Sequence, residues 1–135
     1  MNIDINTNDD DLCIVDSATT HTILKSNKFF SCLVMREVIV STISGTTNII
    51  EGSGRTIVLL PRGTRLDIKN SFYSPKSNTN LLSFNDIRLN GCHIEYLYIT
   101  PIESNKKCVL EKLSAFAYGL YYTYIKAIET HVNVN

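Results

Sequence analysis

The segment Cys13-Ile14-Val15-Asp16-Ser17-Ala18-Thr19-Thr20 is an apolar run that delivers one aspartate and then stops in small hydroxyl residues. Apolar and β-branched residues ahead of the acid favour an extended strand, and the Ser/Thr cluster behind it ends one. The carboxylate therefore stands at a strand end, with hydroxyl and amide donors close by. Two chemistries fit. Asp and Ser at a strand end serve as ordinary turn residues, capping neighbouring backbone donors. Alternatively, a second carboxylate brought alongside would let two acids share a proton and activate a water for attack on an amide carbonyl. On these eight residues alone the turn reading takes precedence, since strand, Asp, Ser is commonplace turn chemistry.

Outward from this segment the chain repeats short bursts of Ile, Val and Tyr separated by Gly, Asn, Ser, Thr and Pro, the pattern of an all-β domain. Strands are predicted near Leu12–Asp16, Arg36–Thr42, Asn48–Glu51, Arg55–Leu60, Arg65–Tyr73, Cys92–Tyr98, Lys107–Lys112 and Leu120–Ile125. One short helix is predicted near 83–90. Ser83-Phe-Asn-Asp86 resembles a capping box with Asp for the usual Glu or Gln, Leu82, Ile87 and Leu89 are its apolar positions, and Gly91 stands at the C-cap. Thr20–Leu33 reads as loop, with Ile23, Leu24, Phe29, Phe30 and Leu33 forming either a helical turn or irregular packing. Residues 1–10 carry alternating Asn, Asp and Thr and read as a disordered or linker-like start.

With 135 residues, 44% hydrophobic and 19% charged, the chain has the composition of one globular domain with a real core. Thirteen basic residues balance thirteen acidic ones without clustering, which argues against a nucleic-acid partner held by its phosphates. No apolar run approaches the roughly 20 residues that span a bilayer, and the opening is acidic and polar rather than basic and then apolar, so no membrane role and an intracellular setting are expected. Cys13, Cys32, Cys92 and Cys108 are widely spaced in mostly apolar settings and read as free, buried thiols. His21 could join Cys13 and Cys32 around a metal, but no paired ligand spacing supports zinc, and no metal or other cofactor is expected. His93 belongs on the outer face of a strand in which Cys92, Ile94, Tyr96 and Tyr98 share the other face. Gly52-Ser-Gly54-Arg55 lacks the Lys-Ser/Thr and following helix of a phosphate loop. The aromatic run from Ala115 to Tyr124 has no basic cluster beside it and reads as a final strand packing its rings.

The order of features is more specific than any one of them. After Asp16-Ser17-Ala18-Thr19 and His21 come a Gly-bearing loop around Gly45, Gly52-Ser-Gly54, Tyr73-Ser-Pro75 and Asn80-Leu-Leu-Ser83 leading into the capped helix. This succession, over roughly Leu12 to Tyr122, resembles the protease region of copia-type retrotransposon Gag-Pol polyproteins. The resemblance implies a retropepsin-like β-barrel over 11–125, with 126–135 a tail toward the segment preceding the integrase. It also implies an aspartic endopeptidase that cleaves its own polyprotein in the cytoplasm or within a retrotransposon particle. Asp16 would be the catalytic acid, with Ser17 bracing the acid loops of two subunits. Ala18 and Thr19 of the acid loop, and Ser44, Gly45 and Thr46 of a flap, would bind substrate. The remaining aspartates (Asp4, Asp9, Asp10, Asp11, Asp67 and Asp86) do not repeat the setting of Asp16, so the second acid must come from a second copy in an isologous homodimer. The family's glycine after Asp-Ser is Ala18 here, acceptable where φ is negative and strained where it is positive. The alternative is a catalytically inactive relic or interaction module that keeps the barrel without paired acids.

Overall fold

A computed structural model of the chain describes residues 10–41, 47–103, 108–116 and 120–128. Residues 1–9 of the start expected to be disordered over 1–10, the loop at 42–46 and the end of the tail (129–135) lie outside them, whereas Asp10 is paired as the first residue of a strand. The described chain is all-β apart from one short helix and a 3-10 turn. Its strands are β1 (Asp10–Asp16), β2 (Ile23–Leu24), β3 (Phe30–Ser41), β4 (Thr47–Leu59), β5 (Arg65–Tyr73), β6 (Asn80–Ser83), β7 (Cys92–Glu95), β8 (Tyr98–Pro101), β9 (Glu111–Lys112), β10 (Ser114–Ala115) and β11 (Tyr121–Ala127). Helix α1 (Phe84–Leu89) follows β6 directly.

The main sheet runs β10-β11-β1-β6-β2-β5-β4-β3, and β11 also pairs with β4 through Lys126↔Leu59 and Ala127↔Val58. That extra pairing joins β11, β1, β6, β2, β5 and β4 into a closed six-stranded ring, with β10 and β3 attached outside it. Closure removes the edges that an open sheet would expose. Alternate residues of the ring strands point inward. Cys13 and Val15, Leu24, Val58, Leu66 and Ile68, Leu82 and Ile125 fill the interior with Phe29, Ile87, Ile99 and Leu113. Burial pushes the Cys13 thiol well above its ordinary range, as for a small apolar core residue. All four cysteines are free; Cys13 and Cys92 are buried as expected, whereas Cys32 and Cys108 are exposed.

Strand β5 starts and stops where the sequence places it. The predicted strands at Asn48–Glu51 and Arg55–Leu60 are one continuous β4, because Gly52-Ser-Gly54 is extended chain against β3 rather than a break. A methyl group on Gly54 would lie 1.8 Å from the Cys32 carbonyl oxygen, and one on Gly52 would lie 2.9 Å from that of Val34. These glycines are there for close backbone approach beside β-bulges, not for flexibility. Cys92–Tyr98 is split: Tyr96, with φ 55 and 87% exposed, turns β7 into β8, so Tyr96 and Tyr98 do not continue the Cys92 face. The last strand continues past Ile125 to Ala127 and is the staple of the ring, so Lys126 and Ala127 belong to the barrel rather than to a tail.

The small sheet β7-β8-β9 packs beside the ring and is bolted to it by Glu111. Its carboxylate, 1% exposed, accepts from the backbone N–H of Arg62 (2.9 and 3.2 Å) and of Thr64 (3.1 Å) in the turn between β4 and β5. Among the described residues no helix is long and apolar enough to cross a membrane.

Candidate active site

Asp16 is the last residue of β1, half-buried, and opposite Ser83 in the parallel β1–β6 pair. Its Oδ1 accepts the Ala18 N–H at 2.8 Å, the short-range capping contact that an Asp at a strand end makes. Ser17 and Ala18 are exposed, and Ser17 makes no side-chain hydrogen bond among the described residues. Among the described non-glycine residues only Tyr96 has positive φ, so Ala18 occupies its place without left-handed strain. Thr19 is half-buried and its hydroxyl donates to the His21 carbonyl at 2.8 Å, which turns it back into its own loop.

The loop after the acid is anchored to the β6–α1 corner. The Ser83 hydroxyl donates to the Thr19 carbonyl at 3.0 Å and accepts the Asn85 N–H at 3.1 Å as the helix N-cap. Thr22 donates from both its N–H (3.1 Å) and its hydroxyl (2.7 Å) to Asp86 Oδ2, and its hydroxyl accepts the Ser83 N–H at 3.1 Å. Asn80, at the other end of β6, donates to the Leu12 carbonyl (3.0 Å) and accepts the Lys25 N–H (2.8 Å), tying β6 to the flanks of β1 and β2. The Asn-Leu-Leu-Ser run is thus a central strand whose two polar ends hold the acid strand and its loop.

Cross-strand registration extends this site sideways. Tyr122 pairs with Ile14, Ile14 with Leu81, Leu81 with Ile23, Ile23 with Phe72, and Phe72 with Ser53. Directly paired residues share a sheet face, so this row lies on the outside of the ring. Asp16 is on the same face of β1, two residues beyond Ile14. The result is an apolar strip beside a carboxylate, in which Ile14, Leu81 and Phe72 are half-buried and Ile23 is wholly buried. His21, between β1 and β2, stacks on Phe72 with ring centroids 4.4 Å apart and joins the strip. Its Nδ1 lies 3.0 Å from the Thr20 hydroxyl. Among the described residues no group of three His, Cys, Asp or Glu side chains is arranged to hold a metal ion. A pocket of about 440 Å³ at the opposite end of β1, lined by Asp11, Lys25, Lys28 and Asn80 among others, does not include Asp16.

The arms β3 and β4 form a long antiparallel hairpin paired as far as Ser41↔Thr47. Ser44, Gly45 and Thr46, expected to contact substrate from its tip, lie outside the described residues. Sequence reasoning named Asp86 only as a capping-box residue and did not single out Thr22 or the row Ile14, Leu81, Ile23 and Phe72. The Asn80-Leu-Leu-Ser83 run was visible, but the parallel register that sets Leu81 beside Ile14 is a long-range property. Comparison with protein-family models, curated proteins and solved structures finds no match to the chain.

Proposed function

We propose that this chain is a retropepsin-like aspartic endopeptidase domain of a copia-type retrotransposon polyprotein, active as a homodimer. The observation that carries the reading is the position of Asp16. It ends a ring strand, is paired in parallel with the Asn-Leu-Leu-Ser strand, and stands on the same outer face as the apolar strip. An open face bearing one carboxylate is half of an acid-protease site. A second copy apposed about a twofold axis supplies the other carboxylate, and the unpartnered Ser17 hydroxyls are free to brace the two loops across that axis.

In that dimer the two Asp16 carboxyls hold one proton between them, because like charges so close cannot both be ionised. The ionised acid takes a proton from water as it attacks the peptide carbonyl, and the protonated acid donates to the carbonyl oxygen. The half-buried members of the strip, Ile14, Leu81 and Phe72, receive apolar side chains flanking the scissile bond, and the β3–β4 hairpin closes over the substrate. The polyprotein is the substrate, and no metal or other cofactor enters the chemistry.

The test is cleavage of quenched-fluorescence peptides carrying two apolar residues at their centre, by the wild type and by Asp16→Asn. The expected result is cleavage by a dimer and its loss, by at least a hundredfold, in the variant. A wild-type chain that stays monomeric at high concentration and cleaves nothing supports the inactive-barrel alternative. Undiminished cleavage by Asp16→Asn rules out the dyad.

A further inference from the structure

Asp86 sits in a helix of only six residues, yet it is 8% exposed and its Oδ2 is directed at a single residue of the acid loop. A buried carboxylate needs hydrogen-bond donors, and the helix N-terminus would be an obvious source. Here Thr22 is the donor instead, through both N–H and hydroxyl. The Thr22 hydroxyl is also an acceptor for the Ser83 N–H, so it sits in a chain from Ser83 through Thr22 to Asp86 that only a hydroxyl side chain completes. The same Ser83 fixes Thr19 through its own hydroxyl.

We infer that Thr22 and Asp86 are positioning residues that fix the register of the acid loop against the β6–α1 corner, with a catalytic consequence that rests on the protease reading above. Both anchors fall on the far side of the loop from Asp16. Residues 17 and 18 are held only between Asp16, locked opposite Ser83 in the sheet, and Thr19, locked to the Ser83 hydroxyl. Loss of the Thr22 hydroxyl frees the Ser83 N–H and so loosens the Ser83 hydroxyl that holds Thr19; the slack then passes into this short span and displaces the Ala18 N–H that Asp16 accepts. In a twofold dimer the displacement occurs in both loops at once, and proton sharing between two carboxyls tolerates little of it.

The full chain as the dimer is assayed with the same peptides and, separately, by amide hydrogen exchange. Thr22→Val keeps the shape and removes the hydroxyl. It is expected to lower kcat at least tenfold with KM within twofold, and Thr22→Ser to restore kcat to within threefold. Asp86→Asn added to Thr22→Val is expected to cause less than a twofold further loss, because the hydroxyl bond is already broken and the asparagine Oδ1 still accepts the residue-22 N–H. Exchange at the Ala18 amide should rise at least tenfold in Thr22→Val and not in Thr22→Ser, with the β4 and β11 amides unchanged. Unaltered kcat and Ala18 exchange in Thr22→Val overturn the inference, as does equal loosening of β4 and β11, which marks a general fold defect. A wild-type chain that cleaves nothing removes the protease reading, and the anchoring role is then decided by the Ala18 amide alone.

Discussion

Gly54 illustrates how one side chain, or its lack, sets a backbone path. Its missing methyl lets the Cys32 carbonyl approach where any Cβ would collide, and the collision is with backbone that has no rotamer to escape into. Gly54→Ala is therefore expected to lower unfolding free energy by about 2 kcal/mol or more, read from denaturant midpoints, by the overpacking it forces. The Asp67 carboxylate makes a different residue-scale statement. A side-chain hydrogen bond from Arg55, 2.8 Å from Nε to Oδ1 with a second bond from the other guanidinium nitrogen, holds it below the usual carboxylate range. The folded-state pKa is lower than the unfolded one. The contribution is thus complete above the unfolded carboxylate pKa of about 3.9 and disappears as pH falls through the lower folded value. The stability difference between wild type and Asp67→Asn should be small, because the pair is solvent-facing. It should shrink further with added salt and vanish in acid, as chemical denaturation at several pH values would measure.

At the scale of elements, the turn between β4 and β5 depends on a residue from a different sheet. Glu111→Ala leaves the N–H groups of Arg62 and Thr64 without their side-chain acceptor and unhooks β9, at an expected cost of about 1–3 kcal/mol, measurable by thermal or urea melts. Nothing local announces this, since a glutamate beside Lys112 is naturally read as a surface position. The elements that sequence did reveal are those whose signals are local: β1 with its terminal acid, β5 between its turns, and α1 with Ser83 as cap and Gly91 at φ 78 behind it. Strands β2 and β6 were not among the predicted strands, because two and four residues carry too little periodicity and their existence rests on partners far along the chain. The candidate site divides the same way. Asp16, Ser17, Ala18 and Thr19 were legible as a motif. Thr22 and Asp86 were not, because only the fold brings a loop threonine onto a helix aspartate.

On the scale of the whole molecule, the ring is closed by a strand whose aromatic outer face had suggested no more than a terminal packing element. Strand β11 pairs with β1 along six registered positions and with β4 at its far end. A chain truncated after Phe116 is expected to lose cooperative unfolding altogether, whereas one ending at Ile128 should retain it, as near-ultraviolet circular dichroism and calorimetry would distinguish. The strand that shields the first one is also the last to be made. Leu12 must wait for Tyr124, so a nascent chain on the ribosome carries β1 unpaired on that side until almost all of the domain has emerged. If the protease reading holds, the order of synthesis is itself a delay: the acid loop cannot be held in its finished barrel, nor meet a twin, until translation has passed Ala127.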